Sequence, residues 1–439
     1  MIIKTMKKFS KKTIKRLKRT GILKTAIAAL VMIPVIITAA GCANLLEGYD
    51  ESITEHQAAP YVRPPTEFIN VYNYDELIAT LLKLIYEHET EAQLLYYHEG
   101  EDVQAEVDRA SYEILNEHLL GIYAVADITA EATRIVTHFE IKVEIEYKRT
   151  KEQVDSIINV SSERYMRTQL LNIMSEYKEE AIIRTYLQIT EDDIERFVAE
   201  TYYRNPSRIV MLPFVVVGIF PEEPEEPEEP EESTVMERIY EIRFGYTENR
   251  SMLQLYGEEL AYYVRQNAEL AEGETDSEIL LFIVNNLLES TAFDEAQART
   301  IHNHGPQNFA ATAFGALIHG SAVGEGFAMA FKAICDEVGI DNRIVLGHYD
   351  GRIHAWNIVE LYGDHYHIDV AMSAVNGIET AFLKTDADFE EMYSWDRENT
   401  VRCDGELTLE DIIGPEEDDL TDDIDGLNGE NNENGEGDT

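Results

Sequence analysis

The sequence predicts an α+β fold, because helical and strand-like patterns occupy separate stretches of one long chain. Residues 75–86 carry apolar side chains at the three- and four-residue spacing of a helix. Residues 139–147 instead alternate apolar and charged side chains, which indicates a strand with one face in the core and one in water. A similar alternation recurs at residues 240–246. With 439 residues, the chain is long enough for two domains with cores of their own.

The first 41 residues predict an export signal. A lysine- and arginine-rich segment without acids precedes an apolar stretch at residues 25–40, which is the pattern of a secretory signal peptide. The ending A-A-G-C at residues 39–42 resembles a bacterial lipoprotein box, and this implies that Cys42 becomes the lipidated first residue of the mature chain. An uncleaved anchor helix is the alternative, because residues 22–40 come close to the roughly 20 apolar residues that span a bilayer.

Both alternatives predict that the rest of the chain lies on the extracytoplasmic face of the cell membrane, held there by a lipid or by an anchor helix. The whole chain has 36 basic and 84 acidic residues, a net charge of −48. Ten of the basic residues lie in residues 1–41, so the remainder has 26 basic and 84 acidic residues and a net charge of −58. Such a surface repels phosphate, so nucleic acid is excluded as a partner.

A tether and an α+β region are expected to follow the signal. Residues 42–69 are polar and irregular, which predicts a flexible tether. The α+β region then covers residues 70–234, with a second helix near residues 105–118 ahead of the strand at 139–147.

The α+β region shows signs of an internal repeat. A-Q-L-L-Y-Y at residues 92–97 parallels A-I-I-R-T-Y at 181–186, an offset of 89 (181 minus 92). The two alternating strands are offset by 99 instead (240 minus 141). The extra length comes from residues 221–232, which read P-E-E four times and are too charged and proline-rich to pack a core. We predict that this run is an extended hairpin loop rather than a domain linker.

Three motifs in the second half of the chain resemble a known active site. They are A-V-G-E-G-F-A-M-A at residues 322–330, H-A-W-N at 354–357 and I-D-V at 368–370. Together they resemble the bacterial transglutaminase-like (transglutaminase/protease-like) family, whose site helix begins with Cys-x-Gly-Tyr-Ala. The resemblance implies a papain-like α+β domain of transglutaminase type over residues 235–403, in which this helix packs on an antiparallel sheet.

The same resemblance implies a triad without its nucleophile. His354 matches the base or acid, Asp369 matches its orienting partner, and Gly324 stands where the family has its cysteine. In such a triad the thiol attacks a carbonyl, the imidazole accepts its proton, and the carboxylate fixes the imidazole. Trp356 and Asn357 complete the H-A-W-N segment and are expected to take part in binding.

Three other side chains are candidates for a replacement nucleophile. Cys335 falls on the apolar stripe of the predicted helix and is expected to be buried. Cys403 lies near the end of the matched region, just before the acidic tail. A disulfide between Cys335 and Cys403 is an alternative that the sequence leaves open. Ser321 precedes the helix. Its hydroxyl can replace the thiol only if the base, the residue that orients the base and the donors to the oxyanion are all correctly placed around it.

Several histidines raise the question of a metal site. His302, His304 and His319 lack a carboxylate or cysteine at a ligand spacing. His365 and His367 alternate with Tyr366 ahead of Asp369, and a solvated strand face is favoured over a rebuilt site. We expect no metal and no cofactor.

Residues 404–439 hold fifteen acids and no Lys or Arg, which predicts a disordered tail. Its acidic run lacks the glycine and glutamate spacing of an EF-hand, so no calcium site is predicted there.

The predicted function is that of a membrane-anchored extracytoplasmic protein. Its transglutaminase-like domain is expected to be noncatalytic and to bind a peptide, protein or cell-wall ligand. The alternative is an active hydrolase that uses His354 and Asp369 with a relocated nucleophile or water.

Overall fold

The computed structural model describes residues 68–97, 102–222, 236–305 and 308–414. The predicted signal at 1–41, Cys42 and nearly all of the predicted tether lie outside these ranges. Every helix within them is too short or too polar to cross a bilayer. Helices and strands occur together in each part of the described chain, so the predicted α+β fold class is confirmed.

The first α+β unit is a four-stranded sheet with three helices. The strand order is β1-β2-β4-β3, in which β1 and β2 are parallel and the other two pairs antiparallel. On β4 the apolar residues at 141, 143 and 145 are buried and the charged residues between them exposed, which confirms the predicted half-buried strand. Both predicted helices are present. The elements are β1 (Ile69–Val71), α1 (Tyr74–Glu87), β2 (Glu91–Tyr96), α2 (Val103–Asn116), α3 (Leu119–Ala124), β3 (Val125–Arg134) and β4 (Phe139–Tyr147).

The second α+β unit has the same sheet topology. Its strand order is β5-β6-β8-β7, again with one parallel pair followed by two antiparallel pairs. This agrees with the predicted internal repeat, which stays a prediction. The elements are α4 (Lys151–Asp155), β5 (Ile157–Val160), α5 (Glu163–Ser175), β6 (Glu180–Thr185), α6 (Glu191–Arg204), β7 (Phe214–Phe220) and β8 (Arg238–Gly245).

The P-E-E run lies between two paired strands. β7 and β8 are antiparallel neighbours, with Phe220 opposite Ile239, which confirms a hairpin connection; residues 223–235 themselves lie outside the described ranges. The predicted domain start at residue 235 is wrong for β8, because this strand is hydrogen-bonded between β6 and β7. The alternation predicted for β8 is followed only in part: Arg243 is exposed as expected, but Glu241 on the same face is buried, and so is Ile239. Ile239 packs into the core of the first unit.

The C-terminal region surrounds one buried helix, α10. Its third sheet has the order β13-β12-β11-β14 and is antiparallel throughout. The elements are α7 (Arg250–Leu270), α8 (Asp276–Ser290), β9 (Ala292–Phe293), α9 (Glu295–Ala298), a 3-10 turn (Phe309–Ala311), a π turn (Gly315–His319), β10 (Ser321–Ala322), α10 (Gly324–Val338), β11 (Asn342–Tyr349), β12 (Arg352–Leu361), β13 (Asp364–Ile368), α11 (Val370–Asn376), a second 3-10 turn (Ile378–Thr380), α12 (Asp386–Phe389), β14 (Tyr393–Trp395) and α13 (Leu409–Ile413).

Helix α10 is buried on all sides over residues 324–335 and packs against β11 and β12 on one side and α7 and α8 on another. Small residues permit this close approach. A Cβ on Gly326 would lie 2.2 Å from the carbonyl oxygen of Ala310, so any larger residue at 326 is excluded by backbone. The close packing of α10 therefore fixes the position of its N-terminus against the sheet.

The hydrophobic cores do not divide at the predicted boundary. One core belongs to the first unit, and a second continuous core joins the second unit to the C-terminal region. The predicted tail is also corrected at its start, because α13 lies within it and Leu407 donates its backbone N–H to Tyr366 Oη. Apolar residues at 407, 409 and 412 pack on the core and order this part. Residues 415–439 lie outside the described ranges.

Candidate functional site

The site forms where the N-terminus of α10 meets strand β12. Gly324 is the first residue of α10, and His354 lies near the start of β12. An ideal Cβ on Gly324 would lie 2.3 Å from His354 Nδ1 and 2.4 Å from Cε1. The structure therefore brings together the two residues that the resemblance paired. The imidazole also occupies the space in which a side chain at position 324 would begin.

The other ring nitrogen of His354 faces Asp369. His354 Nε2 lies 2.6 Å from Asp369 Oδ2, and both side chains are buried. Asp369 is fixed further by Tyr393 Oη, which donates to Oδ2 at 2.9 Å, and by the backbone N–H of Met372, which donates to Oδ1 at 3.0 Å. Burial and the neighbouring Asp369 carboxylate raise the pKa of Tyr393, so its phenol stays protonated as a donor. The predicted His354 and Asp369 pair is thus present with the geometry of a triad's base and orienter.

Sequence reasoning missed Glu325, the residue after Gly324. Its side chain is only 4% exposed. It accepts hydrogen bonds from Tyr203 Oη at 2.9 Å and from the backbone N–H of Gly305 at 3.3 Å. Burial raises the pKa of Glu325 to about 7, which the two hydrogen bonds only partly offset. No sequence signal reveals this, because Tyr203 comes from the second unit, 122 residues earlier.

A small void lies at the N-terminus of α10. Its volume is about 20 Å³, and Gly324, Glu325, His354, Phe293, Ala298, Ile301, Val323 and Ile353 line it. No side chain caps the first turn of α10 at Val323. Such a void is large enough for about one water molecule.

A larger cleft opens beside His354. Its volume is about 520 Å³, within the range of small-ligand sites. The lining mixes apolar and aromatic residues with a few polar ones: Phe293, Tyr349, Ile353, Met372, Ala374, Val375, Ala298, Glu295, Arg352, His354 and Asn376.

Trp356 and Asn357 do not line this cleft, which corrects their predicted binding role. Both are buried, at 1% and 0% exposure, because central strand β12 is covered on both faces. Asn357 Nδ2 donates to the carbonyl of Ala328 on α10 at 3.1 Å. Trp356 Nε1 donates to His367 Nδ1 at 2.9 Å. Both residues therefore hold the sheet and the helix in place.

The solvated strand face predicted for His367 is wrong, because this side chain is completely buried. Its Nε2 lies 2.9 Å from Asp386 Oδ1, and Cys403 is close to both. Because Nδ1 accepts from Trp356, the neutral ring carries its proton on Nε2 and donates it to Asp386. A metal ion could bind Nε2 only if this nitrogen lost its proton while Nδ1 continued to accept the hydrogen bond from Trp356. The group therefore fits a hydrogen-bonded cluster better than a metal site.

The alternative nucleophiles are not activated in this structure. Cys335 is fully buried, as predicted, and burial raises its thiol pKa. Cys403 lies in the core as well, and burial raises its pKa to about 12. Both cysteines are free. Ser321 Oγ donates a hydrogen bond to Asp294 Oδ2 at 3.3 Å, so its partner is an acid on another segment rather than His354.

The loop histidines are placed apart from one another. His319 packs edge-on against Phe309 and Phe314. His304 instead lies beside His348, with ring centroids 6.4 Å apart, and burial lowers its pKa. Among the described residues, His304 Nδ1 is buried without a hydrogen-bond partner.

Comparison with known proteins gives only distant similarity. No family model matches the chain, and no curated protein matches it. Among solved structures, a TGase matches over 60% of this chain and 69% of its own, with 13% identity and a TM-score of 0.24. A candidate cysteine protease from Cytophaga hutchinsonii matches over 41% and 73%, with 14% identity and a TM-score of 0.20. A candidate protease from Parabacteroides distasonis matches over 54% and 51%, with 9% identity and a TM-score of 0.19.

Because these TM-scores are low, the fold assignment rests on the geometry of the site itself. The resemblance in sequence implied a helix packed on an antiparallel sheet, with His354 and Asp369 carried by the sheet region. The structure has that arrangement: α10 packs on β12, and Asp369 directly follows β13.

Proposed function

We propose that this protein is a membrane-anchored extracytoplasmic protein whose transglutaminase-like domain binds a peptide, protein or cell-wall ligand without acyl transfer. The observation that carries this proposal is the contact between Gly324 and His354. Covalent acyl transfer needs a nucleophile beside the base. Position 324 offers no side chain, and the imidazole fills the space where one would begin. His354 and Asp369 are hydrogen-bonded to each other, but position 324 places no thiol beside them to be activated.

The cleft beside His354 supports a binding role. It is open enough for part of a peptide, and its polar residues Glu295, Arg352 and Asn376 stand among apolar and aromatic ones. Such a mixture suits a chain that carries both apolar side chains and amide or charged groups. The membrane anchor is supported by the sequence of residues 1–42, which has a basic segment, an apolar segment and Cys42.

A second candidate function is favoured by the void at the N-terminus of α10. A water molecule held there would face His354 Nδ1, since Nε2 is engaged with Asp369. His354 would then activate water directly, and the protein would be a thiol-independent hydrolase. This function needs no residue at position 324.

Two assays on the exported chain, residues 42–439, separate these functions. Peptides containing Gln and Lys are tested for cross-linking by mass shift and for hydrolysis by release of ammonia or of a new amino terminus. The binding proposal expects neither. Turnover that His354→Ala abolishes would establish the hydrolase instead.

Binding is then tested with the same peptides and with purified peptidoglycan. Val375→Arg places a bulky charge in the cleft, and Val136→Arg serves as the matched control on an exposed loop. We expect retention on one of these probes, lost in Val375→Arg and kept in Val136→Arg. Equal retention of both variants would remove the cleft from the proposal.

A further inference from the structure

An arginine-lined groove lies in the second unit, between α5 and α6 and separate from the His354 site. Its volume is about 460 Å³. Helix α5 contributes Arg164 and Arg167, and the end of α6 contributes Arg204. No acidic residue lines the groove. In a chain with 84 acidic and 36 basic residues, three arginines without a lining acid is an unusual local composition.

The arginines differ in their partners. Arg167 is held by Glu200 and Glu163, each at 3.1 Å, and stacks on the Phe197 ring. Its charge is therefore largely compensated within the protein. Arg164 and Arg204 are exposed, and within the described ranges neither guanidinium has an ion pair or side-chain hydrogen bond. Two guanidinium groups remain free to bind an external group.

The position of Arg164 is electrostatically unfavourable without such a group. It lies in the first turn of α5, a 13-residue helix whose N-terminus carries partial positive charge. A cation in that turn is repelled by the helix dipole, whereas an anion is attracted to it. Arg204 in the last turn of α6 is favoured by its own helix, and it lines the same groove.

The polar side chains among the remaining lining residues already have hydrogen-bond partners within the protein. Thr168, Thr201 and Asn205 donate to backbone carbonyls of their own helices, at 3.0, 2.7 and 2.8 Å. Leu171 supplies an apolar surface. The groove therefore offers two arginines without a protein partner among the described residues and one apolar side chain, in a volume that suits a small organic molecule rather than a single ion.

We propose that this groove binds a small organic anion bearing carboxylate or phosphate groups, held by Arg164 and Arg204. Guanidinium groups pair with both kinds of oxyanion through paired N–H donors. This inference is independent of the function proposed for the cleft at His354, because it uses none of the residues there.

The test is isothermal titration of the exported chain with citrate and with inorganic phosphate, using sodium chloride at matched ionic strength and glucose as controls. We expect citrate or phosphate to bind where chloride and glucose do not. Arg164→Gln and Arg204→Gln should each weaken binding about tenfold, which corresponds to about 1.4 kcal/mol, because each removes a charged donor from the anion. Arg208→Gln, an exposed arginine outside the groove, should change it less than about twofold.

Three results would overturn the proposal. The first is the absence of citrate and phosphate binding above the chloride control. The second is unchanged binding in the Arg164→Gln/Arg204→Gln double variant with a normal thermal melt. The third is an equal loss in Arg208→Gln, which would indicate general charge attraction rather than a groove.

Discussion

The imidazole of His354 lies against the backbone of Gly324, with Nδ1 2.3 Å from where a Cβ on residue 324 would be. The same ring is fixed on its other side, because Nε2 bonds Asp369 at 2.6 Å. Glycine at 324 and the position of the ring are therefore coupled. A side chain at 324 requires the ring to withdraw, and the bond to Asp369 opposes that withdrawal.

The first prediction concerns stability at this contact. Gly324→Ala should destabilise the protein by about 1–3 kcal/mol, because the new methyl group overpacks the His354 ring. In a His354→Ala background the same change should be neutral or slightly stabilising, since alanine favours a helix over glycine. Urea unfolding of the four proteins of this double-mutant cycle measures the coupling.

A matched control is Gly245→Ala, whose Cβ would meet nothing closer than 3.7 Å. It should show no coupling to His354→Ala. An equal cost of Gly324→Ala in both backgrounds would mean that the ring is not what a side chain at 324 meets.

The second prediction introduces a thiol at position 324. Gly324→Cys places a thiol at a helix N-terminus beside an imidazole, and both lower a thiol pKa. Cys335 and Cys403 are buried with raised pKa values, so they should react slowly. We expect iodoacetamide at pH 7 to label Cys at 324 on the order of tenfold faster than the two native thiols. Labelling is followed by mass spectrometry of peptides.

Adding His354→Ala to Gly324→Cys should slow that labelling, because the imidazole no longer stabilises the thiolate. Equal rates at all three cysteines would argue that the site no longer has a triad geometry. The unsubstituted protein gives the background rate of the two native thiols.

The third prediction concerns pH. Burial raises the pKa of Glu325 in the folded protein to about 7 from its ordinary 4.5, so the folded protein binds more protons than the unfolded chain between these pH values. The stability associated with neutral Glu325 is complete below pH 4.5, falls as pH rises to about 7, and is constant above. The loss amounts to about 3 kcal/mol.

Glu325→Gln should remove this slope, because an amide stays neutral and can still accept from Tyr203. Glu258→Gln removes the same charge from an exposed position on α7 and should keep the slope of the unsubstituted protein. Urea unfolding between pH 4.5 and 8 measures the difference. Parallel curves for Glu325→Gln and Glu258→Gln would show that Glu325 is not the buried acid responsible.

The fourth prediction concerns the hydrogen bond from Trp356 to His367. Trp356→Phe keeps an aromatic ring but leaves the buried Nδ1 of His367 without a donor, which should cost about 1–3 kcal/mol beyond the loss of packing. Trp395→Phe is the control, since Trp395 is half-buried and packs beside the same ring. A similar loss of stability in both variants would assign the effect to packing alone.

Much of the fold could be predicted because local periodicity reports which faces of an element are buried. Strand β4 follows the alternation of its residues, and α1 and α2 follow the helical spacing of theirs. The pairing of His354 with Asp369 was also accessible, because the resemblance carried by the motifs at residues 354–357 and 368–370 implied it. The environment of His367 could not be predicted, because Trp356, Asp386 and Cys403 reach this side chain from three other segments.

By itself, the sequence determined the α+β class, and the resemblance that its motifs carry singled out Gly324, His354 and Asp369 as candidate site residues. Only the tertiary structure decided that the His354 ring occupies the space beside Gly324, that Glu325 is buried under Tyr203, and that Arg164 and Arg204 share one groove. The physical reason is that a side chain's burial, protonation and free donors depend on neighbours far away in the chain. Periodicity and motif spacing describe only the residues nearby.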